Sequence, residues 1–359
     1  MDLRYSKEKT SVLLGAVKRV LESGVLLRGK ETETFEAKFA DFTSQRYCVG
    51  VGNGLDALTL VLMAWKGLYG WDDGDEVIVS GHTFVASWLS IKRAGLKPVG
   101  CDVRKEDFLM DCRALETVIT PRTRAIMPVH LYGMMCDMPV IMEVTRRHGL
   151  KVLVDSAQCH RRPKGAYSWG NAAAFSFYPT KNLGAAGDAG CVTTNDKDVA
   201  DRVRRLANYG GVNGKFELKG VNSRMDEIQA AILTQKLDWL EQETERRREI
   251  ARAYLNRIRN DKIELPYKGM NAQESTFHIF PIMNKQRAKL QEFLREKGID
   301  TLVHYPTPPH KQPAFLDDAD SLLPTTEEIA DEELSLPMYS HLSDEEVNYV
   351  IDRLNDYNL

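Results

Sequence analysis

At 359 residues the chain is long enough for a large core and exceeds the usual size of one domain, so a large domain with a smaller companion is expected. A composition of 43% hydrophobic and 28% charged residues is that of an ordinary globular protein and argues against disorder. The 48 basic against 51 acidic residues, a net charge of -3, give no electrostatic case for nucleic acid or an anionic membrane as partner. No apolar run approaches the roughly 20 residues of a membrane span, and Met1-Asp2-Leu3-Arg4-Tyr5-Ser6-Lys7 lacks the apolar centre of a signal peptide, so a cytoplasmic soluble protein is expected.

From about residue 45 to 195, short apolar runs alternate with amphipathic stretches. The runs are Tyr47 to Val51, Glu76 to Val79, Lys97 to Cys101, Ala125 to Pro128, Val152 to Asp155, Ala173 to Phe177 and Ala189 to Thr193. Helical spacing marks Leu55 to Lys66 and Met138 to His148 between them. This alternation predicts an α/β fold, a three-layer, mostly parallel sheet between helices, with ligands at the carboxyl ends of the strands. Residues 223 to 258 read as long helices, and the run Arg246-Arg247-Arg248 as their solvated face. Beyond about residue 262 come a short strand (Ser275 to Met283), an amphipathic helix (Lys285 to Lys297), a polar Pro-rich segment (Tyr305 to Pro324) and a terminal helix (Asp344 to Tyr357). The expected division is 1–255 for a large domain and 256–359 for a smaller α+β domain, with the N-terminal helix free to pack on the latter. The six cysteines are scattered without a two-residue spacer pair, so they read as buried free thiols rather than as a metal site or a disulfide framework.

Three places carry chemistry. Val49-Gly50-Val51-Gly52-Asn53-Gly54-Leu55-Asp56 is a strand, a glycine turn and a helix start, where backbone amides and the helix dipole can seat a phosphate. The spacing matches neither the dinucleotide nor the Walker pattern, and glycines at such turns also serve purely steric needs. Asp155 closes a strongly apolar strand, as a helix cap or as a site acid, with Gln158 three residues on. Lys181 follows another apolar run in Phe175-Ser176-Phe177-Tyr178-Pro179-Thr180-Lys181, and Phe84 near a strand end is either a core ring or a ring that stacks on a flat ligand. A lysine amine just after an apolar strand, with a carboxylate at the end of another strand, is what a pyridoxal phosphate enzyme needs: the amine holds the cofactor aldehyde, and the carboxylate keeps the ring nitrogen protonated.

Asp155-Ser-Ala-Gln158, Phe175-Ser-Phe-Tyr-Pro-Thr-Lys181-Asn-Leu-Gly184 and Gly220-Val-Asn-Ser-Arg-Met-Asp-Glu-Ile-Gln-Ala-Ala231 occur in that order. On them the chain, from about residue 10 onward, resembles the sugar aminotransferases of the DegT/DnrJ/EryC1/StrS type, a branch of fold type I pyridoxal phosphate enzymes. The resemblance implies Lys181 as the Schiff-base lysine, Asp155 as the pyridinium partner, Gln158 as donor to the ring oxygen and Phe84 stacked on the ring. Ser176, Gly54 and Leu55 would hold the phosphate, and Asn222 would reach the cofactor of a neighbouring subunit, making a homodimer with shared active sites. His304, Tyr305 and His310 are candidates for the sugar side, although a structural turn explains Val303-His304-Tyr305-Pro306 as well.

The implied reaction is transamination of a nucleotide-linked keto-sugar with glutamate as amino donor, for a surface glycan such as a lipopolysaccharide O-antigen or for an antibiotic. Lysine at position 181, rather than the histidine of some relatives, favours transamination over elimination. Asn182-Leu-Gly-Ala-Ala-Gly-Asp-Ala-Gly190 leans toward dTDP-linked 3-keto-6-deoxyhexoses. A 4-keto sugar, a cyclitol, or a non-catalytic regulatory role remain the alternatives. Two segments depart from the pattern beside the cofactor: Ser80-Gly81-His82, and Cys159-His160-Arg161-Arg162 after Gln158.

Overall fold

The computed structural model describes residues 4–162, 169–318 and 322–358. Residues 1–3, part of the N-terminal segment read above for a signal peptide, lie outside these, as do 319–321 of the Pro-rich segment. In chain order the first elements are α1 (Lys7–Ser23), α2 (Lys30–Thr43), β1 (Tyr47–Val51), α3 (Gly54–Tyr69), β2 (Glu76–Ser80), α4 (Val85–Arg93) and β3 (Lys97–Cys101). There follow β4 (Thr123–Met127), α5 (Met138–His148), β5 (Lys151–Asp155), β6 (Ala172–Ser176), β7 (Gly190–Thr194), α6 (Lys197–Leu206), β8 (Gly211–Val212) and β9 (Lys215–Phe216). The remainder is α7 (Glu227–Leu237), α8 (Leu240–Arg257), β10 (Phe280–Met283), α9 (Arg287–Glu296), α10 (Pro324–Glu332), β11 (Glu333–Leu336) and α11 (Asp344–Asn355).

The seven apolar runs form one seven-stranded sheet in the order β1-β7-β6-β5-β4-β2-β3. All neighbours pair in parallel except β7, which runs antiparallel to both β1 and β6. Side chains alternate across a strand, and the burial records it. Ile78, Ile126, Val152, Val154 and Phe175 enter one core with α2, while Val77, Val79, Ala125, Leu153 and Ala174 enter a second core with Leu58, Leu62, Trp65 and Trp88 of α3 and α4. Helices thus cover both faces, as unbroken apolar strands require.

Local signals bound the helices. Asn53 caps α3 by accepting from the Asp56 N–H, Gly70 ends it in the left-handed conformation, and Ser343 with Glu346 closes a capping box on α11. The α1 helix places Ala16 and Val20 on Ala231 of α7, so it lies along the large sheet's helices and not on the later α+β unit.

Three expectations change. The strand expected over Ser275 to Met283 begins only at Phe280, because the Thr276 and His278 amides donate to Gly133 and Tyr132 carbonyls at 3.0 and 2.9 Å and so belong to a loop of the large sheet. The Pro-rich segment gives way to α10 and then β11, which pairs antiparallel with β10 (Ile282 opposite Leu334). Its four residues, Glu333-Leu334-Ser335-Leu336, alternate polar and apolar, a strand pattern too short to stand out beside α10. Finally, the arginine run is not a solvated face. Arg247 and Arg248 are buried, with Arg247 donating to the Met338 carbonyl at 2.9 Å and Arg248 to that of Ser275 at 3.1 Å. Long guanidinium arms let α8 satisfy loop carbonyls that would otherwise be buried without donors.

Candidate active site

Asp155 ends β5 in the middle of the sheet, where the strand stops and its side chain meets no further apolar layer. It is buried, and accepts from Ser87 Oγ at 2.7 Å on one oxygen and from the Ala157 N–H at 3.1 Å on the other. Burial raises its pKa, while Ser87, the Ala157 amide and the charge of Lys181 pull it back.

Lys181 sits in the turn after β6. Its own N–H donates to the Tyr178 carbonyl at 2.8 Å, and the turn closes so tightly that a Cβ on Gly184 would lie 2.4 Å from the Pro179 oxygen. Burial lowers the lysine to about 8, partly offset by Asp155. An appreciable fraction of the amine is therefore free base near neutral pH, which a nucleophile and proton carrier requires.

Gln158 is held at both ends. Its Oε1 accepts from the Tyr132 N–H at 2.7 Å and its Nε2 donates to the Tyr305 hydroxyl at 2.9 Å. Tyr305 arrives from the segment before α10, and its ring lies 5.5 Å from that of Phe84, which precedes α4 and is exposed. His304 comes with it. His310 does not join this group: it is buried beside Trp88 and pairs with Glu327 at 3.1 Å, and among the described residues none of these contacts is with Lys181, Asp155 or Gln158.

The expected phosphate seat is assembled from separate segments. A Cβ on Gly54 would fall 2.7 Å from Ser176 Cβ, so only glycine lets the start of α3 meet the end of β6. A Cβ on Gly190 would fall 2.4 Å from the Asn53 carbonyl carbon, so β7 needs the same economy. The α3 N-terminus, with Gly54 and Leu55 in its first turn, thus lies against Ser176, the kind of surroundings an anion site needs. Ser223 joins the same turn, accepting from the Gly52 N–H at 3.0 Å, and the adjoining Asn222 is exposed. Glu227, from the same motif, is structural: it accepts from the Gly29, Glu31 and Thr32 amides at 2.9, 2.8 and 3.0 Å and so caps α2.

Sequence reasoning missed Ser87, Tyr132 and Glu333, and marked His160 only as part of a segment beside the cofactor that departs from the family pattern. His160 Nε2 lies 2.9 Å from the Ser176 carbonyl, and burial pushes its pKa to about 3, so a neutral imidazole braces the phosphate strand. Its place directly after Asp155-Ser-Ala-Gln158-Cys159 was the available signal. Ser87 and Tyr132 had none, since each acts from an unremarkable helix or loop position across a long sequence gap.

Residues 8–355 match the DegT/DnrJ/EryC1/StrS aminotransferase family. The chain belongs to that family. It is an aminotransferase of fold type I, as its sheet and its structural neighbours agree. It is 45% identical over 363 residues, covering 99% of this chain and 97% of the other, to the dTDP-3-amino-3,6-dideoxy-alpha-D-galactopyranose transaminase of Aneurinibacillus thermoaerophilus. Among solved structures, S. venezuelae DesV in complex with a ketimine intermediate is 41% identical with a TM-score of 0.91, covering 98% of this chain and 95% of that one. The ntda protein of Bacillus subtilis with bound cofactor pmp is 30% identical with a TM-score of 0.90, covering 97% and 82%.

Proposed function

We propose that this aminotransferase uses pyridoxal 5'-phosphate to transfer an amino group from glutamate to C3 of a dTDP-linked 3-keto-6-deoxyhexose. The observation that carries the cofactor assignment is that Asp155 ends β5 and Lys181 follows the adjacent parallel strand β6, beside a glycine cradle that Ser176 closes. The residues fit the group: a cationic ring nitrogen matches the buried carboxylate, and a phosphate matches the Gly54 and Leu55 amides with the Ser176 hydroxyl. The sugar assignment draws on the Aneurinibacillus relative and on the segment after Lys181.

When bound, the cofactor supplies a protonated ring that withdraws electrons from the substrate carbon. Asp155 holds the proton on the ring nitrogen, and Ser87 and the Ala157 amide keep its carboxylate in place. Lys181 Nζ would take the proton from the donor's α-carbon and hold it for return, with a basicity suited to both. Phe84 covers one face, and Gln158 Nε2, which donates to Tyr305 here, is the donor for the ring oxygen. His304 and Tyr305 line the sugar side. Asn222 serves the partner's site in a homodimer, and the labour divides between residues 1–255, which carry the cofactor, and 256–359, which close over it.

Purified protein should be yellow and bleach on adding glutamate, and borohydride followed by peptide mass spectrometry should place the cofactor on Lys181. Label on another lysine would sink the site assignment. A panel of 3-keto and 4-keto sugar nucleotides, followed by mass spectrometry, decides the carbon aminated.

A further inference from the structure

Glu333 opens β11 with its side chain wholly buried, on a strand whose other residues, Leu334, Ser335 and Leu336, are buried as well. A carboxyl in that position is costly unless its oxygens are matched, and both are. Oε2 accepts from the His304 N–H at 2.6 Å, while Oε1 meets Ser335 Oγ. The same Ser335 Oγ lies 2.8 Å from His304 Nδ1. On the other side, the His304 carbonyl accepts from Tyr132 OH, which also meets His82 Nε2 at 2.9 Å. The imidazole is therefore pinned through its backbone and through one ring nitrogen, leaving the Nε2 edge to a ligand.

The hydrogens in this chain can be counted. Because Oε2 is committed to accepting an amide, a proton on Glu333 must sit on Oε1, facing Ser335. With Glu333 ionised, the serine hydroxyl donates to Oε1 and its oxygen accepts Nδ1–H, so Nε2 is a bare acceptor. With Glu333 protonated, Oε1–H donates to the serine, the serine donates to Nδ1, and the ring hydrogen is on Nε2. Exchange between the two states is a balanced relay: one proton enters at Nε2, the Nδ1 proton passes to Ser335 Oγ, and the serine's own proton passes to Oε1.

We propose that Glu333, Ser335 and His304 form a proton relay that sets whether His304 offers the sugar substrate a donor or an acceptor. The inference rests on the reading of His304 as a sugar-side residue and names Glu333 and Ser335 as positioning residues behind it. Burial pushes Glu333 up to about 8, against the hydrogen bonds from Ser335 and the His304 amide and the charge of Arg287 on α9. Tyr132, Tyr267 and Tyr305 also face it, all with pKa values raised by burial, so they remain neutral through the change. His304 is pushed down to about 4, first by burial and then by the charge of Lys181, and the neighbouring His82 and His278 are likewise lowered by burial. The ring of His304 thus stays neutral in both states and only its hydrogen moves.

The test is nitrogen NMR of the holoenzyme carrying labelled histidine, with the His304 signals assigned by their loss in His304→Gln, titrated from about pH 6 to about pH 10. The expected result is Nε2–H at low pH converting to Nδ1–H around pH 8, at constant ring charge. Glu333→Gln, whose amide donates permanently toward Ser335, should hold the Nε2–H form throughout, and Ser335→Ala should abolish the transition. A single tautomer across the range in the unaltered protein, or a transition that survives in Glu333→Gln, overturns the relay. The corresponding kinetic sign is an about tenfold change in KM for the keto-sugar across the transition, present in the unaltered protein and absent in Glu333→Gln. Borohydride label missing from Lys181 would remove the functional reading and leave the NMR answer standing, so the two failures are distinguishable.

Discussion

Asp155, on a wall formed by the large sheet, and Glu333, on a wall formed by the two-stranded sheet, are buried carboxyls whose charges both reach Tyr305, and their surroundings differ in one respect that matters. Asp155, at the carboxyl end of a central parallel strand, has a hydroxyl, an amide and the charge of Lys181 acting on it. Glu333, on a two-stranded sheet, also has a hydroxyl and an amide, but its charged neighbour Arg287 donates to the Ala330 carbonyl. Burial raises both. Only for Asp155 is the nearby charge a lysine amine that follows the adjacent strand, so the first wall is built to keep a carboxylate and the second to store a proton. The lesson is that residue type sets what can titrate, whereas the partner decides what the titration is for.

The largest effect that would sharpen this contrast is at the lysine. Lys181→Ala should lower transamination by about four orders of magnitude or more and remove the borohydride label, since both nucleophile and proton carrier are lost. Next, Asp155→Asn should slow the glutamate half-reaction by about 100- to 1000-fold in single-turnover absorbance, because the amide retains the Ser87 contact but not the charge. A rate within about tenfold of the original would break the distinction between the two walls.

For Glu333 the effect is smaller and lies in stability. Its folded pKa of about 8 stands above the ordinary 4.5, so the folded state binds the proton more tightly. That contribution is complete below about 4.5 and is lost as pH rises through about 8. Between about pH 6 and about pH 9 the melting temperature of the unaltered protein should therefore fall relative to that of Glu333→Gln, by a few degrees. Equal slopes would show that Glu333 is not the group that titrates. Smallest of all, Phe84→Ala should weaken cofactor retention by about three- to tenfold, measured by equilibrium dialysis, with little change in the pH profile.

Much of the first wall was legible. Asp155 closing an apolar run, Lys181 after another and the glycines around Asn53 are local patterns, because a parallel sheet puts its strand ends, and hence its chemistry, on one edge. The clamp on Gln158 was not, since Tyr305 reaches it across 147 residues and neither partner is distinctive in its own segment. The arginine run misled for a related reason: a guanidinium that donates to buried carbonyls has the same sequence pattern as one in water, and only the neighbouring loops distinguish them.

By itself, then, the chain's pattern determined the alternating sheet, the strand-end acid, the lysine turn and the glycine cradle, because each follows from the period of a few consecutive residues. Tertiary structure alone decided that β11 exists, that Glu333 is buried on it, and that His304 is tied to Tyr132 across 172 residues and to Ser335 across 31. Those are matters of which polar groups are left without water when two sheets close on each other, and that is settled by packing rather than by local pattern.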